Sequence, residues 1–560
     1  MLDLLFYPVM AGAVLLPVAL VWRRLGDPLE ALALGAGYGV LLWAGVGLAR
    51  FFLVLPSSTA RTIGLVALAA SAGALGILLA ALARNLSSLP RNSSLPVAGE
   101  GQVGGRGRGT RPFLLAILAA AALTLGLEAS LPHFDLAERY YDWFVHFDLA
   151  RVFQSATAAG VSSHWGDATV TTRTPLYNLL GSVALTVFGD RFTVFQVLTA
   201  AVAWLWILPF ALLARRLLNS WAPAVTALAA ISPLVLHTTT YASSKGLVTF
   251  FALLALERYL ALREAPPDRV LLLSLQLGLF SAATVMSHSG FVGFPLALVA
   301  MYAWDVIQRR RPWRGLATTA LTGALVAIPW YAWAIAQYGL QAGVFGYPRA
   351  PYASVVRWLF DRLLILPTSF LPVTLPLERY VVQPLETYFL IYIGTATGAL
   401  GLVFLFRALA QNLNRHTRIH AGRVEWPLLC FAVAGILVAD VLHEGVLSNN
   451  ASTFCVPGML ALLLLAVRAN PLTRFFVVAS LVEMTVFEVV VLLWVWSPAS
   501  SGLLNAEVAQ ANHLRFLGQD ALVAGLFLVA TGLAAAAVCV WPWVRRPAEA
   551  ASGRTRSAAA

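Results

Sequence analysis

The stretch "ERYYDWFVHFDLARVFQ", residues 138–154, sets acids, aromatics and a histidine directly after an apolar run long enough to cross a membrane. If residues 136–153 are helical, Glu138, Asp142 and His146 fall at i, i+4 and i+8, one above the other on a single face. Partial dehydration pushes a carboxylate toward neutral pH, which suits a general base taking a proton from a hydroxyl. Asp142 is the first candidate for that role, Glu138 and Asp148 are the second choices, and His146 shares the face. On the same register Tyr141, Phe144, Leu149 and Val152 are expected to face the bilayer surface, as in an interfacial amphipathic helix. The plain alternative is that these acids only solvate a surface helix.

The elements that must position them are membrane helices. The 560 residues are 59% hydrophobic and 11% charged, with a mean hydropathy of +0.77, whereas a soluble domain carries roughly 25% charge. Apolar runs near 6–22, 33–54, 62–83, 113–131, 191–214, 222–241, 246–262, 269–287, 289–306, 316–336, 385–406, 425–442, 454–468, 474–496 and 520–543 make an all-α integral membrane protein of about 15 spans, each near the ~20 residues that cross the hydrocarbon. The first run lacks a basic leader and is followed by Arg23-Arg24, so it is expected to be a true span. With the N-terminus outside, Arg215-Arg216, Arg309-Arg310-Arg311 and Arg545-Arg546 fall in the cytoplasm, as the positive-inside bias requires, and so does the C-terminus. The net charge of +12 therefore reflects topology and gives no reason to invoke nucleic acid.

Residues 85–112, rich in Gly, Ser, Pro and Arg, read as a flexible cytoplasmic linker. It separates an N-terminal three-span unit (1–84) from a catalytic core (113–470) and a C-terminal two-span unit with its tail (471–560). Two outer loops, 132–190 and 337–384, are too long to be simple turns, and such loops are where chemistry tends to sit. No phosphate-cradling nucleotide fingerprint occurs.

From Thr171 the chain runs "TTRTPLYNLLGSVALTVFGDRFTVFQVLTAAVAWLWILPFALLARRL", and "ISPLVLHTTTYASSKGLVTFFALLALERYL" and "VAIPWYAWAIAQYG" follow in order. An acid-bearing first outer loop, then a basic residue before Pro-Leu-Tyr, a segment ending Phe-Gly and a span closing Ala-Arg-Arg-Leu resembles the GT-C glycosyltransferases, among them the protein O-mannosyltransferases and lipid A aminoarabinose transferases. The resemblance implies a fold of many membrane helices with amphipathic helices in the first outer loop. It also implies an active site at the outer face and a polyprenyl-phosphate sugar as donor. Where the family often has an acid pair, this chain has Tyr141-Asp142-Trp143 with no second adjacent acid.

Sugar transfer from a lipid phosphate needs a base for the acceptor hydroxyl and cations for the departing phosphate. Arg173 occupies the position that the resemblance gives to a phosphate-binding basic residue, and a guanidinium grips phosphate oxygens with two parallel hydrogen bonds. Lys245, the chain's one lysine, is either a snorkelling anchor or a second phosphate contact. Arg349, in the basic second loop, either meets anionic headgroups or joins the clamp on the donor. Tyr177, His288 and the pair His443-Glu444 are candidates for the substrate pocket. One His beside one Glu is a weak metal signal, so no metal or other cofactor is assigned.

The expected activity is transfer of a sugar to a cell-envelope glycan, lipid or protein on the outer face of a prokaryotic cytoplasmic membrane, with membrane lipids as the surrounding partners. The alternatives are an O-antigen ligase or polymerase-like enzyme using the second loop, and a lipid or solute transporter; no inverted repeat supports the latter. A cysteine placed within 95–105 should react only with membrane-permeant reagents in intact cells, and one within 157–165 with impermeant ones; the reverse pattern would move the acidic loop into the cytoplasm.

Overall fold

The computed structural model describes residues 27–53, 58–59, 140–161, 170–218 and 244–345, with single positions 222, 223, 226, 229, 356, 359 and 431. The spans expected near 6–22, 62–83, 113–131, 385–406, 454–468, 474–496 and 520–543 lie outside the described residues, as do the linker, Glu138, Arg349, His443 and Glu444. The spans near 222–241 and 425–442 are described only at isolated positions. Among the described residues there is no strand.

The helices are α1 (Pro28–Leu53), α2 (Tyr140–Ser155), α3 (Pro175–Phe188), α4 (Phe192–Ala203), α5 (Ile207–Leu218), α6 (Lys245–Glu264), α7 (Val270–Ser287), α8 (Gly293–Ile307) and α9 (Trp313–Phe345). Among the described residues, five stretches are long and apolar enough to cross a membrane: Leu29–Leu53, Val194–Leu217, Pro267–Ser287, Ser289–Ile307 and Trp313–Leu340. They fall on five of the expected spans. The chain is a helical membrane protein.

The start of α1 is fixed by its own sequence. Asp27 Oδ1 accepts from the backbone N–H of Leu29 at 3.0 Å and of Glu30 at 3.3 Å, satisfying donors that a first turn leaves orphaned, and Pro28 suits the first helical position. From there α1 runs against α3, α5 and α6.

The span expected at 191–214 is broken. Between α4 and α5 the bonds Leu205 N–H to Val202 O (3.2 Å), Ile207 N–H to Trp204 O (3.1 Å) and Leu208 N–H to Leu205 O (3.0 Å) are three-residue turns, tighter than α-helix. The break lies where α6 arrives: a Cβ on Gly246 would sit 2.7 Å from the Ala203 carbonyl oxygen. Only glycine lets the two backbones meet there.

The helix expected at 246–262 forms as α6, nearly all of it buried. Lys245, Glu257, Arg258 and Arg263 keep it out of the apolar class; it is a central helix wrapped by others. On its far side lies α7, itself covered by α9, where Thr319 Oγ1 donates to the Ser274 carbonyl at 3.1 Å. The outer flank of α9 carries Leu321, Leu325 and Ile328 exposed at i, i+4 and i+7, a lipid-facing stripe. Within α9, Pro329 removes one ladder hydrogen bond, and Gly339 at φ 79° ends the regular helix.

Charged side chains gather at one end of the bundle. Arg215 holds both carboxylate oxygens of Asp27 at 2.6 and 3.2 Å. Arg216 bridges Glu257 at 2.9 Å and Glu264 at 2.6 Å. Arg258, 3% exposed, lies between Glu257 and Glu30, the latter at 2.8 Å. Asp305, equally buried, accepts from Tyr259 Oη at 2.8 Å and faces Arg263 at 3.1 Å. The basic residues that the charge bias groups on one side, Arg215, Arg216 and Arg310, are thus together at one end.

Desolvating Arg258 is tolerable only because two carboxylates face it, and removing it strands Glu30 and leaves Glu257 to Arg216 alone. Arg258→Met should lower stability by about 3–5 kcal/mol, the usual cost of breaking a buried pair from one side. SDS-titration unfolding of the purified protein checks this. The exposed Arg309→Met should be indistinguishable from wild type.

Candidate functional site

At the opposite end α2 and α3 lie side by side and run in the same direction. His146 meets Asn178, Ala150 meets Gly181, and Arg50 joins the end of α2 to the last turn of α3. A Cβ on Gly181 would come within 2.9 Å of both Ala150 Cβ and the Phe195 ring, so its absence permits the close approach. The α3 helix is introduced by a 3₁₀ turn over Val170–Thr172, an extended Thr174 (φ −63°, ψ 150°) and Pro175 at the first helical position. Nearly every α3 side chain is then buried.

From Val145 onward the α2 helix turns its apolar face into the protein. Val145, His146, Leu149, Ala150 and Phe153 are buried in the protein, while Arg151 and Ser155 are exposed. This corrects the expected orientation: Leu149 is 1% exposed and Val152 packs against the core, because α3 and α1 cover that flank.

His146 is 3% exposed, and its Nδ1 lies 2.8 Å from Asn178 Oδ1. Asn178 Nδ2 in turn donates to the Thr174 carbonyl at 3.4 Å. The Tyr177 ring meets His146 edge-to-face at 5.0 Å and Phe195 at 5.9 Å, so Tyr177 is an interior packing partner of His146. Asp142 belongs to α2, one helical turn before His146. Arg173, half-buried, adjoins Thr174 at the entrance to α3.

The expected residues do not all converge. Asp148 lies about 200° around α2 from His146, on the rim with Arg151, 4.0 Å away, which also binds Asp190 at 3.1 Å. His288 follows the end of α7 and caps the 3₁₀ turn Ser289–Phe291, its Nδ1 accepting from the Gly290 N–H at 3.2 Å, with the Phe291 ring at 5.0 Å. Lys245 opens α6 beside the Gly246–Ala203 contact. The structure thus brings together the α2 face and the start of α3. Among the described residues, no group of three or more His, Cys, Asp or Glu is gathered to hold a metal.

Sequence reasoning missed two residues. Asn178 is a buried amide in an otherwise apolar turn of α3, and its polarity among Leu176, Tyr177, Leu179 and Leu180 was the available signal. Arg50 was hidden inside an expected span. Its Nη1 donates to Thr186 Oγ1 at 2.8 Å and its Nη2 to the Gln154 carbonyl. The next residue, Phe51, packs edge-on against Phe153 and Trp333, both at 5.1 Å, and accepts at its carbonyl from the Ala158 N–H at 3.0 Å.

No family model matches the sequence, and no curated protein matches it. Among solved structures the chain is similar to the crystal structure of the Archaeoglobus fulgidus oligosaccharyltransferase, at 15% identity and a TM-score of 0.41. The match covers 72% of this chain and 53% of that one, so the chain spans about half the length of that enzyme. So loose a superposition transfers neither residues nor an activity.

A hydrogen bond from a charged donor is worth roughly 1.5–3 kcal/mol, and Arg50 makes two that cross between helices. Arg50→Ala should therefore raise hydrogen–deuterium exchange across residues 140–155 while leaving α7 protected. Equal exchange in both regions would show that Arg50 is no tether.

Proposed function

We propose that this protein is a membrane glycosyltransferase of the GT-C kind. It moves a sugar from a polyprenyl-phosphate donor to a cell-envelope glycan, lipid or protein acceptor on the outer face of a prokaryotic cytoplasmic membrane. The observation that carries the reading is the pairing of the acid-bearing helix α2 with the start of α3, fastened by the His146–Asn178–Thr174 hydrogen bonds. That pairing sets the backbone of Asp142 and the Arg173 junction at the same end of two parallel helices.

In this scheme Asp142 takes the proton of the acceptor hydroxyl as that oxygen attacks the anomeric carbon and the bond to phosphate oxygen breaks. The departing phosphate gains charge as the bond breaks, so a guanidinium at Arg173 stabilises the transition state more than the ground state. Lys245 and Arg349 are the further candidates for that phosphate, and Glu138 and Asp148 are the alternative bases. Tyr177, His288, His443 and Glu444 remain candidates for the sugar pocket. In this scheme the polar end of the bundle, with Arg215, Arg216 and Arg310, faces the cytoplasm.

Turnover of radiolabelled polyprenyl-phosphate sugars, one sugar at a time, tests the activity directly. Asp142→Asn should cut transfer by about 10²–10⁴, the usual contribution of a general base, with the protein still folded. Arg173→Ala should weaken binding of sugar-free polyprenyl phosphate as well as turnover, and Arg173→Lys should be only partly impaired because it keeps charge but loses the fork. Unchanged lipid-phosphate affinity in Arg173→Ala removes Arg173 from the donor site. Wild-type turnover in Asp142→Asn, Glu138→Gln and Asp148→Asn alike would sink the glycosyltransferase reading.

A further inference from the structure

We propose that the turn between α8 and α9 binds the phosphate of an anionic phospholipid, in the leaflet at that end of the bundle. Arg269, Arg309 and Arg314 are its charged contacts, and Trp304 and Trp313 form its edge. The site is independent of sugar transfer and needs only that the chain spans a membrane.

Chain length sets the depth of the turn. One membrane-crossing stretch ends at Ile307 and the next begins at Trp313, so residues 308–312 must stay at the level of the headgroups. The arginines of this stretch do different things. Arg311 donates to the Arg263 carbonyl and, at 2.7 Å, to the Ala265 carbonyl, closing the end of α6. Arg310 turns to Asp305 at 3.7 Å. Arg309 is exposed and, among the described residues, is in no ion pair; the same holds for Arg314 in the first turn of α9 and Arg269 just ahead of α7. The Arg311 tether sets the α6–α7 connection, which carries Arg269, beside the α8–α9 turn. Contact of Ser274 Oγ with Tyr302 Oη at 3.1 Å, over Gly315, joins α7, α8 and α9 at the same end. Of the acids nearby, Glu264 is held by Arg216 and Asp305 by Tyr259, Arg263 and Arg310. Asp268 alone is left to face the three arginines, so the patch keeps a positive excess.

The backbone at Arg309 adds a second argument. Its φ of 57° lies in the left-handed region, which glycine enters without strain and a long side chain does not. Glycine would close this turn better. The arginine side chain adds no ion pair within the protein, so its partner lies outside the chain. What lies there is indicated by Trp304, Ile307 and Trp313, each more than half exposed beside the turn. Indole rings favour the level where acyl chain gives way to headgroup, and guanidinium groups grip phosphate oxygens. A phospholipid uses both features at once, with its phosphate among the arginines and its first methylenes against the rings. A water-soluble phosphate would use only the first.

Native mass spectrometry tests this on the purified full-length protein in neutral detergent, titrated with phosphatidylglycerol or phosphatidylcholine. Each basic residue at an anionic surface strengthens binding about fivefold, so wild type should prefer phosphatidylglycerol by about tenfold or more. Arg309→Gly suits the left-handed turn; it should melt no lower than wild type and still lose about fivefold of that preference. Arg269→Gln, Arg309→Gln and Arg314→Gln combined should abolish it. Arg191→Gln, which removes an exposed arginine beyond the end of α3, should leave it unchanged. Equal binding of the two lipids by wild type, a full preference in Arg309→Gly, or the same loss in Arg191→Gln overturns the proposal. Glycerol 3-phosphate should displace no more lipid than chloride does at equal ionic strength. Stronger displacement would mark a site for soluble phosphates and overturn the lipid assignment.

Discussion

An arginine buried in an apolar bundle must be answered by carboxylates within reach, and Arg258 is that constraint here. It is held between Glu257 on its own helix and Glu30 on α1. Because Arg216 of α5 also reaches Glu257, three helices must arrive in one relative placement before the charges balance. Hydrophobic burial alone would let such helices slide, since one apolar ridge packs much like the next. The ion pairs supply a register, and the Asp27–Arg215 pair adds a direct link between the start of α1 and α5.

With α1 fixed below, its other end can hold something above. Arg50 and Phe51 reach the end of α2, the last turn of α3 and the aromatic face of α9. The helix that carries the candidate acid is thereby braced from outside, while Gly181 lets it lie close against α3 and the His146–Asn178 pair joins the two from within. Positioning at this end comes from a few polar links set into close packing.

Much of this was legible in the sequence. Apolar run length located five helices long enough to cross a membrane, and the i, i+4 spacing of Asp142 and His146 anticipated a helix that does form. The helix α3 was not anticipated, since residues 175–188 were read as part of the outer loop 132–190. What was not legible depends on neighbours distant in the chain. The orientation of α2 was misjudged because Leu149 looks equally suited to lipid or to a protein core, and only the presence of α1 and α3 decides. The interruption at Trp204–Trp206 has no proline to announce it; it arises where Gly246 of another helix meets Ala203. Arg50 and Asn178 escaped notice for the same reason, since their roles are defined by partners across the bundle.

The straight run of α1 between its two sets of contacts has a consequence for how this chain can vary. An α-helix turns about 100° per residue, so Glu30 and Arg50 are phased against each other by the number of residues between them. One residue inserted or deleted in that interval would swing one contact away from its partners while the other stayed in place. The middle of α1 is close-packed as well, with Ala36, Val40 and Ala44 buried and Gly47 set against the Leu179 carbonyl, so its length in residues is a quantity the molecule must conserve along with the size of those side chains.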